Sequence, residues 1–494
     1  MSARATLGDL FPEALGATAE RAVSGLADDS RKVTPGGVFV GVPGAAADGT
    51  AFIPQAVAAG AVAIVGEAER PADLDERVAY VRVPDVRRAL ALAAARFHPR
   101  QPETIVAVTG TSGKSSVADF TRQVFAALGH ASASLGTLGV VTQKGAAYGS
   151  LTTPGPIVLH ETLDRLARDG VTHLAMEASS HGIDQRRLDG VRLVAAGFTN
   201  LGRDHLDYHG TSDAYRAAKL RLFETLLGQD AAVVVNADGA DAEPFIAAAD
   251  RRGLDLLTTG RRGRSLRLLD ATTRGFAQRL RIAFDLLGGR SEGEITVNLP
   301  LVGAFQIENA LVAAGLVLAS DREADARDVL GALARLTGVP GRLERVGEAN
   351  GGLCIVDYAH KPEALAHVLE ALRPFATGRL VCVFGCGGDR DRGKRPIMGR
   401  IAVEKADAVI VTDDNPRSEQ PAAIRAAILE GARGAREIGD RAEAIHAAVR
   451  EIGAGDVLVG AGKGHETGQI VGDRTLPFSD HDVIRAAIAE GSAR

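Results

Sequence analysis

Thr104-Ile-Val-Ala-Val-Thr109, Gly110-Thr-Ser-Gly-Lys-Ser-Ser116 and Val117–Leu128 follow one another without a break. The first run is apolar and β-branched and reads as a buried strand. The third is rich in Ala, Phe and Leu and reads as a helix. A glycine turn between the two aims backbone N–H groups and a helix N-terminus at an anion. Lys114 would neutralise the outer phosphates of a bound polyphosphate, and the Ser115 hydroxyl would reach a magnesium ion. The turn is shorter than the full G-x-x-x-x-G-K-S pattern, because Val108 stands where its first glycine belongs. The strand before it and the helix after it therefore carry the reading.

The same alternation of β-branched run, polar or glycine-rich loop and Ala/Leu-rich stretch recurs on both sides. It predicts an α/β protein with mainly parallel sheets. At roughly 150 residues per domain, 494 residues make about three domains. The first block spans 1–102, with strands at Val38–Val42, Ala61–Gly66 and Val78–Val83, a helix at Val86–Phe97 and a proline-marked hinge at His98–Glu103. The second, 103–337, adds strands at His173–Glu177, Ala195–Thr199 and Ala231–Asn236, and an antiparallel stretch over Ser265–Pro300. The third, 338–494, opens at Gly338-Val-Pro-Gly341 and carries strands at Leu353–Asp357, Leu380–Phe384, Ala408–Thr412 and Val457–Gly460.

Composition narrows the classes. Hydrophobic residues make up 46% and charged residues 24%, which excludes wholesale disorder. Lys and Arg number 57 against 62 Asp and Glu, so no basic surface for nucleic acid is expected. Three cysteines cannot build a disulfide framework, and a reducing cytoplasmic home follows as the expectation. Cys382 and Cys386, within and just after an apolar strand, read as buried thiols, as does Cys354. No signal peptide and no bilayer-spanning run are read, so no membrane insertion is expected.

Two polar loops follow strands of the second block. Met176-Glu-Ala-Ser-Ser-His181 carries Glu177, and Asn200–Gly210 carries His205 and His209. In a parallel sheet both would emerge on the rim that holds the phosphate loop. Glu177 and His205 could meet a magnesium ion there, although imidazole is not magnesium's usual ligand. A strand-end carboxylate and loop-holding histidines explain the pattern equally well. Lys219, in the helical Tyr215–Phe223, reads as a solvated lysine. Cys386–Arg400 holds five basic and two acidic residues, a net +3 that suits an anionic ligand.

Ten stretches occur in an order that resembles the Mur ligases of peptidoglycan synthesis. They are Gly110–Ser116, Leu151–Pro154, Met176–His181, Phe198–Thr211, Ala217–Lys219, Val339–Glu344, Val356–Leu365, Phe384–Pro396, Thr412–Glu419 and Gly462–Glu466. The resemblance covers the whole chain and is strongest to the members that add the third peptide residue. It implies an N-terminal UDP-binding α/β domain, a central P-loop ATPase domain with a small antiparallel sheet, and a C-terminal Rossmann-like domain. It further implies an ATP- and magnesium-dependent monomer that joins meso-diaminopimelate to the D-Glu γ-carboxylate of UDP-MurNAc-L-Ala-D-Glu through an acyl phosphate. L-Lysine or L-ornithine is the alternative donor.

By the same resemblance, Gly110, Thr111, Ser112, Gly113, Lys114, Ser115 and Ser116 bind ATP with Asn309, Arg342 and Asp357. Ser30, Thr152, Thr153, Ser179, Gln185 and Arg187 fall where the family holds UDP-MurNAc-dipeptide. Arg390, Asp414, Asn415, Pro416, Arg417, Gly462 and Glu466 fall where it holds diaminopimelate. The fork of Arg417 would take the distal carboxylate, and Glu466 with the Gly462 carbonyl the distal ammonium. Lys219 matches the family's carbamylated lysine (N6-carboxylysine), which turns a cation into an anion. It completes a metal set of Ser115, Glu177, His205 and Lys219, of which Glu177, His205 and Lys219 would act catalytically with Lys114. The sequence departs from the family pattern at Ser112, Ser115-Ser116, Ala45-Ala46, Gly155 and Lys361.

Overall fold

The computed structural model describes residues 5–44, 48–147, 151–239, 241–286 and 291–492. The chain divides into two compact units, residues 1–258 with 315–323, and residues 259–314 with 324–494. Among the described residues both are mixed α/β.

The first unit begins with four parallel strands in sequential order: β1 (Leu26–Ala27), β2 (Val38–Val40), β3 (Ala63–Gly66) and β4 (Ala79–Arg82). Helix Val86–Phe97, capped by Asp85, packs Val86, Leu90 and Ala93 against Val38, Val40, Val65 and Val81. A larger sheet follows, built from β5 (Thr104–Thr109), β6 (Ser132–Gly136), β7 (Gly139–Thr142), β8 (Gly145–Ala147), β9 (His173–Glu177), β10 (Ala195–Phe198) and β11 (Ala232–Asn236). Its order here is β11-β10-β5-β9-β6-β7-β8, parallel from β11 to β6 and antiparallel beyond. β5 lies between β9 and β10, with Val108 opposite Glu177 and Thr109 opposite Phe198. The loops after these three strands therefore leave side by side at the carboxyl ends, where open α/β sheets bind ligands. β5, β9 and β10 are buried on both faces, which is why each is a continuous apolar run.

β12 (Asp255–Gly260) leads into the second unit, pairing Thr259 with Leu266. A meander of β13 (Leu266–Arg274), β14 (Ala277–Leu286) and β15 (Ser291–Leu299) follows, antiparallel as the alternation over 265–300 predicts. The last sheet comprises β16 (Glu344–Ala349), β17 (Gly352–Asp357), β18 (Leu380–Phe384), β19 (Ala408–Val411), β20 (Arg436–Glu437) and β21 (Val457–Ala461), in the order β16-β17-β21-β18-β19-β20. Only β16 runs antiparallel. Apolar clusters cover both faces of this sheet. A hairpin, β22 (Gly468–Val471) with β23 (Arg474–Pro477), stands beyond it.

The expected strands at 104–109, 173–177 and 380–384 begin and end as read, and the others differ by one or two residues. β1, β6–β8, β12, β16, β20 and the hairpin were not anticipated. β6, β8 and β16 are rich in Gly, Ala and Ser or in charge and short of β-branched residues, while β7 (Gly-Val-Val-Thr) and β22 (Gly-Gln-Ile-Val) carry that signal over only four residues.

Candidate active site

The phosphate loop is held by glycine geometry. Gly110 has φ +153°, and a Cβ there would lie 1.9 Å from Thr199 Oγ1; Gly113 has φ +86° and caps helix Lys114–Ala127. Lys114 donates from Nζ to the carbonyls of Gly110 and Thr111, both at 2.9 Å. The Ser112 N–H donates to Asn200 Oδ1 at 3.0 Å, and its carbonyl accepts from Thr199 Oγ1 at 2.7 Å. The loops after β5 and β10 thus brace each other.

Glu177 ends β9 and is buried. Its Oε1 accepts from Ser115 Oγ at 2.9 Å and from the Thr137 N–H at 2.7 Å. Thr137 Oγ1 is 3.0 Å from Thr152 Oγ1. Lys219 is also buried, on the last turn of helix Ser212–Arg221, which runs on into a π turn at Leu222–Leu226. Its Nζ donates to the Gly110 carbonyl at 2.8 Å and lies 4.4 Å from the Tyr215 ring centroid. Burial, with the Lys114 charge adding to it, brings the Lys219 pKa down to about 6. The solvated lysine read from the segment alone is thus corrected: the helix turns this face onto the phosphate loop.

His205 has φ +53° and lies 3.6 Å from Asp204 Oδ2. Its ring meets His181 edge-on at 4.7 Å and stands 6.2 Å from Tyr215. The contacts therefore sort the four expected metal ligands into two groups, Ser115 with Glu177 and His205 beside Tyr215 and Lys219. A buried carboxylate touching a hydroxyl is the oxygen donor set that magnesium takes, so Ser115 and Glu177 fit that ion. Among the described residues no cluster of three or more His, Cys, Asp or Glu is gathered for a metal.

Of the residues expected at the UDP-MurNAc-dipeptide, five are tied in one network. Thr153 Oγ1 donates to the Glu177 carbonyl at 2.9 Å and accepts from Ser179, whose Oγ caps the following turn. Arg187 donates to the Thr153 carbonyl and to Gln185 Oε1, both at 2.7 Å. Thr152 reaches Glu177 through Thr137. Ser30 stands apart in its bonding, 3.0 Å from Gln55 Oε1.

In the second unit, Asn309 donates to Gln306 Oε1 at 2.9 Å, and Gln306 donates to the Arg342 carbonyl at 3.4 Å. Asp357 ends β17 and accepts from the N–H groups of Leu343 at 2.7 Å and Ala359 at 2.8 Å. Burial outweighs these bonds and raises its pKa to about 6.

The loop after β19 carries Asp414 to Arg417. Arg417 has φ +51° and donates from Nη1 to the Gly388 carbonyl at 2.9 Å; a Cβ on Gly387 would meet that nitrogen at 2.7 Å. Its backbone is clamped by the hairpin, with Arg417 N–H to Ile470 O at 3.0 Å and Gly472 N–H to Arg417 O at 2.8 Å. Asn415 Nδ2 donates to Glu466 Oε2 at 2.9 Å. Gly388 N–H donates to the Asn415 carbonyl, and a Cβ at Gly388 would lie 1.9 Å from the Pro416 oxygen. Gly462 has φ +112° and donates to the Asp357 carbonyl at 3.0 Å, while Arg390 bonds the Asp389 carbonyl at 3.2 Å. These expected residues therefore form one neighbourhood. At its centre is a residue that sequence reasoning passed over: Lys463 is wholly buried, with Nζ 3.1 Å from Asn415 Oδ1 and 3.3 Å from Glu466 Oε2. The available signal was a lysine between two glycines at the end of a strand.

Residues 22–98 match the description "Mur ligase family, catalytic domain", residues 108–317 "Mur ligase middle domain", and residues 341–464 "Mur ligase, glutamate ligase domain". The chain belongs to the Mur ligase family. It is 58% identical to the UDP-N-acetylmuramoyl-L-alanyl-D-glutamate–2,6-diaminopimelate ligase of Bradyrhizobium diazoefficiens over 96% of each chain. It is 52% identical to the like-named ligase of Agrobacterium fabrum over 99% of each. A solved structure of a ligase of that name superposes with a TM-score of 0.74 at 32% identity, covering 99% of both chains.

The remaining positions of this Mur ligase are quickly placed. Ala45-Ala46 lie outside the described residues. Lys361 is exposed, at the N-cap of helix Pro362–Leu372. Cys354, Cys382 and Cys386 are free buried thiols, as expected, with burial pushing their pKa values up to about 12, 12 and 11. No described helix is long and apolar enough to cross a membrane.

Proposed function

We propose that this chain joins meso-2,6-diaminopimelate to the D-Glu γ-carboxylate of UDP-MurNAc-L-Ala-D-Glu, converting ATP to ADP and phosphate. The observation that carries the reading is the near full-length identity to ligases of that name. The Arg417–Glu466 neighbourhood supports it, because it offers a fork for a carboxylate beside an acceptor for an ammonium.

Amide formation in water requires an activated acid. An oxygen of the γ-carboxylate attacks the γ-phosphorus of ATP, and ADP leaves. The neutral amine at the L-centre of the donor then attacks the acyl carbon of the resulting acyl phosphate. The tetrahedral intermediate expels phosphate, and the amine's proton passes to solvent. The phosphate loop orients the chain of phosphates through its N–H groups, and Lys114 balances the charge of two approaching anions. Asn309, Arg342 and Asp357 are the further residues assigned to ATP. Ser30, Thr152, Thr153, Ser179, Gln185 and Arg187 hold the UDP-MurNAc-dipeptide. Magnesium, when bound, supplies charge neutralisation at the transferred phosphoryl group. Ser115, Glu177, His205 and a carbamylated Lys219 would hold it. A lysine with a pKa near 6 is largely uncharged at pH 7, the form that adds carbon dioxide. The same reading assigns domains to 1–102, 103–337 and 338–494, and makes the enzyme a cytoplasmic monomer.

Phosphate release with ATP, UDP-MurNAc-dipeptide and a panel of diamino acids tests the proposal. Diaminopimelate should exceed L-lysine and L-ornithine in kcat/KM by at least about tenfold, because the half-buried Arg417 fork is left unpaired by a ligand lacking the distal carboxylate. Equal or faster turnover with lysine or ornithine would overturn the donor assignment.

A further inference from the structure

The donor neighbourhood contains a charge that none of its expected contacts explains. Lys463 has no exposed surface, and its ammonium lies among three of the residues assigned to the donor. It donates to Asn415 Oδ1 at 3.1 Å and Glu466 Oε2 at 3.3 Å, and lies 3.5 Å from Asp414 Oδ1. Asn415 closes the triangle, accepting from Lys463 and from the Ile470 N–H at 2.9 Å on Oδ1 while donating to Glu466 from Nδ2. Asp414 is also buried, and its Oδ1 has no hydrogen-bond partner. Behind the triangle, fully buried Arg441 pairs with Asp480 at 2.6 Å and also donates to the Ala461 carbonyl.

The signs decide what this arrangement can hold. Arg441 and Asp480 cancel. Lys463 offsets one of Asp414 and Glu466, so one negative charge remains uncompensated by the cluster. Arg417, one residue past Pro416, keeps its positive guanidinium. Without a cation, buried Asp414 and half-buried Glu466 would repel and turn apart, while a second cation would leave nothing for an incoming ammonium.

On the donor reading above, we propose that Lys463 is a positioning residue for amine-donor recognition. Its ammonium fixes the side chains of Asn415 and Glu466 and leaves the site one negative charge, matched to the distal ammonium of the donor. It acts through Glu466 and Asn415 and does not touch the reacting atoms.

The test is steady-state phosphate release at saturating ATP and UDP-MurNAc-dipeptide with diaminopimelate varied, for wild type, K463M, E466Q and the double variant. K463M should raise the KM for diaminopimelate by about tenfold or more, with kcat and the KM for ATP within about threefold of wild type. In the E466Q background the same change should add less than about threefold, since the partner through which Lys463 acts is already altered. An unchanged donor KM, a loss confined to kcat, or effects of K463M and E466Q that multiply in full would each overturn the inference. Thermal melting establishes that the variants fold; should K463M not fold, K463Q, neutral but still able to hydrogen-bond, carries the same readings. Wild-type enzyme indifferent to diaminopimelate would refute the donor assignment and this inference with it. Wild-type turnover with diaminopimelate and an unchanged KM in K463Q or K463M would refute this inference alone.

Discussion

Gly136 ends β6 beside Glu177, and replacing it with alanine tests whether the Glu177 carboxylate must stand where it does. A Cβ at this position would lie 2.1 Å from Glu177 Oε1 and 2.6 Å from its Cγ and Cδ. An ordinary contact needs about 3.5 Å, so the side chain must move by more than about 1 Å. Moving it breaks the bonds from Ser115 Oγ at 2.9 Å and the Thr137 N–H at 2.7 Å. Hydrogen bonds to a charged group are worth about 1.5–3 kcal/mol each. Some of that returns as the carboxylate finds new donors, leaving a displacement of about 2–4 kcal/mol. At about 1.4 kcal/mol per factor of ten, kcat should fall about 30- to 1000-fold. Phosphate release at saturating substrates measures it, and the KM for diaminopimelate should stay unchanged, since none of the residues proposed to hold the donor bonds Gly136 or Glu177. Kinetics for G136A within about threefold of wild type, in a protein that melts normally, would show that the Glu177 position is unimportant to the reaction.

Arg417→Ala should raise the KM for diaminopimelate about 10- to 100-fold, the worth of a charged fork, and leave the KM for ATP unchanged in the same assay. Lys219 should give the folded protein a pH signature in carbonate-free buffer. Folded Lys219 releases its proton near pH 6, against 10.5 in the unfolded chain, so between those values the unfolded state binds more protons. Stability then rises with pH, by up to about 1.4 kcal/mol per unit, and urea midpoints at pH 7 and 9 should separate more for wild type than for K219M. Breaking the buried Arg441–Asp480 pair with Arg441→Met should cost about 3–5 kcal/mol, read as a large fall in melting temperature.

The central site was legible where local signals and tertiary fate agree. Thr104–Thr109 is apolar throughout because the strand is buried on both faces, and Gly110 and Gly113 occupy positions whose φ angles favour glycine. Glu177 was placed by its position at a strand end. Lys219 was not legible from its own segment. Its helix reads as polar, and its burial arises from packing against the phosphate loop more than a hundred residues earlier. Lys463 escaped for a related reason, since a lysine in a glycine loop looks solvated until the partners from the β19 loop close over it. β6 escaped because Ser132-Ala-Ser-Leu-Gly136 carries no β-branched residue, yet all five positions are buried between β9 and β7.

The clamp between the Arg417 backbone and the hairpin has an evolutionary corollary. The loop and the strand that grips it are about fifty residues apart in the chain, joined through Ile470 and Gly472. Those bonds are main-chain, but Asn415 Oδ1 also accepts from the Ile470 N–H at 2.9 Å and Gln469 Nε2 donates to the Asp414 carbonyl at 2.7 Å, so replacing either side chain loosens the pairing of the two stretches. On the proposed donor site, grafting a foreign amine preference onto this scaffold would mean transplanting residues 412–419 together with 462–477. A chimera carrying only the first would inherit a guanidinium without the brace that aims it.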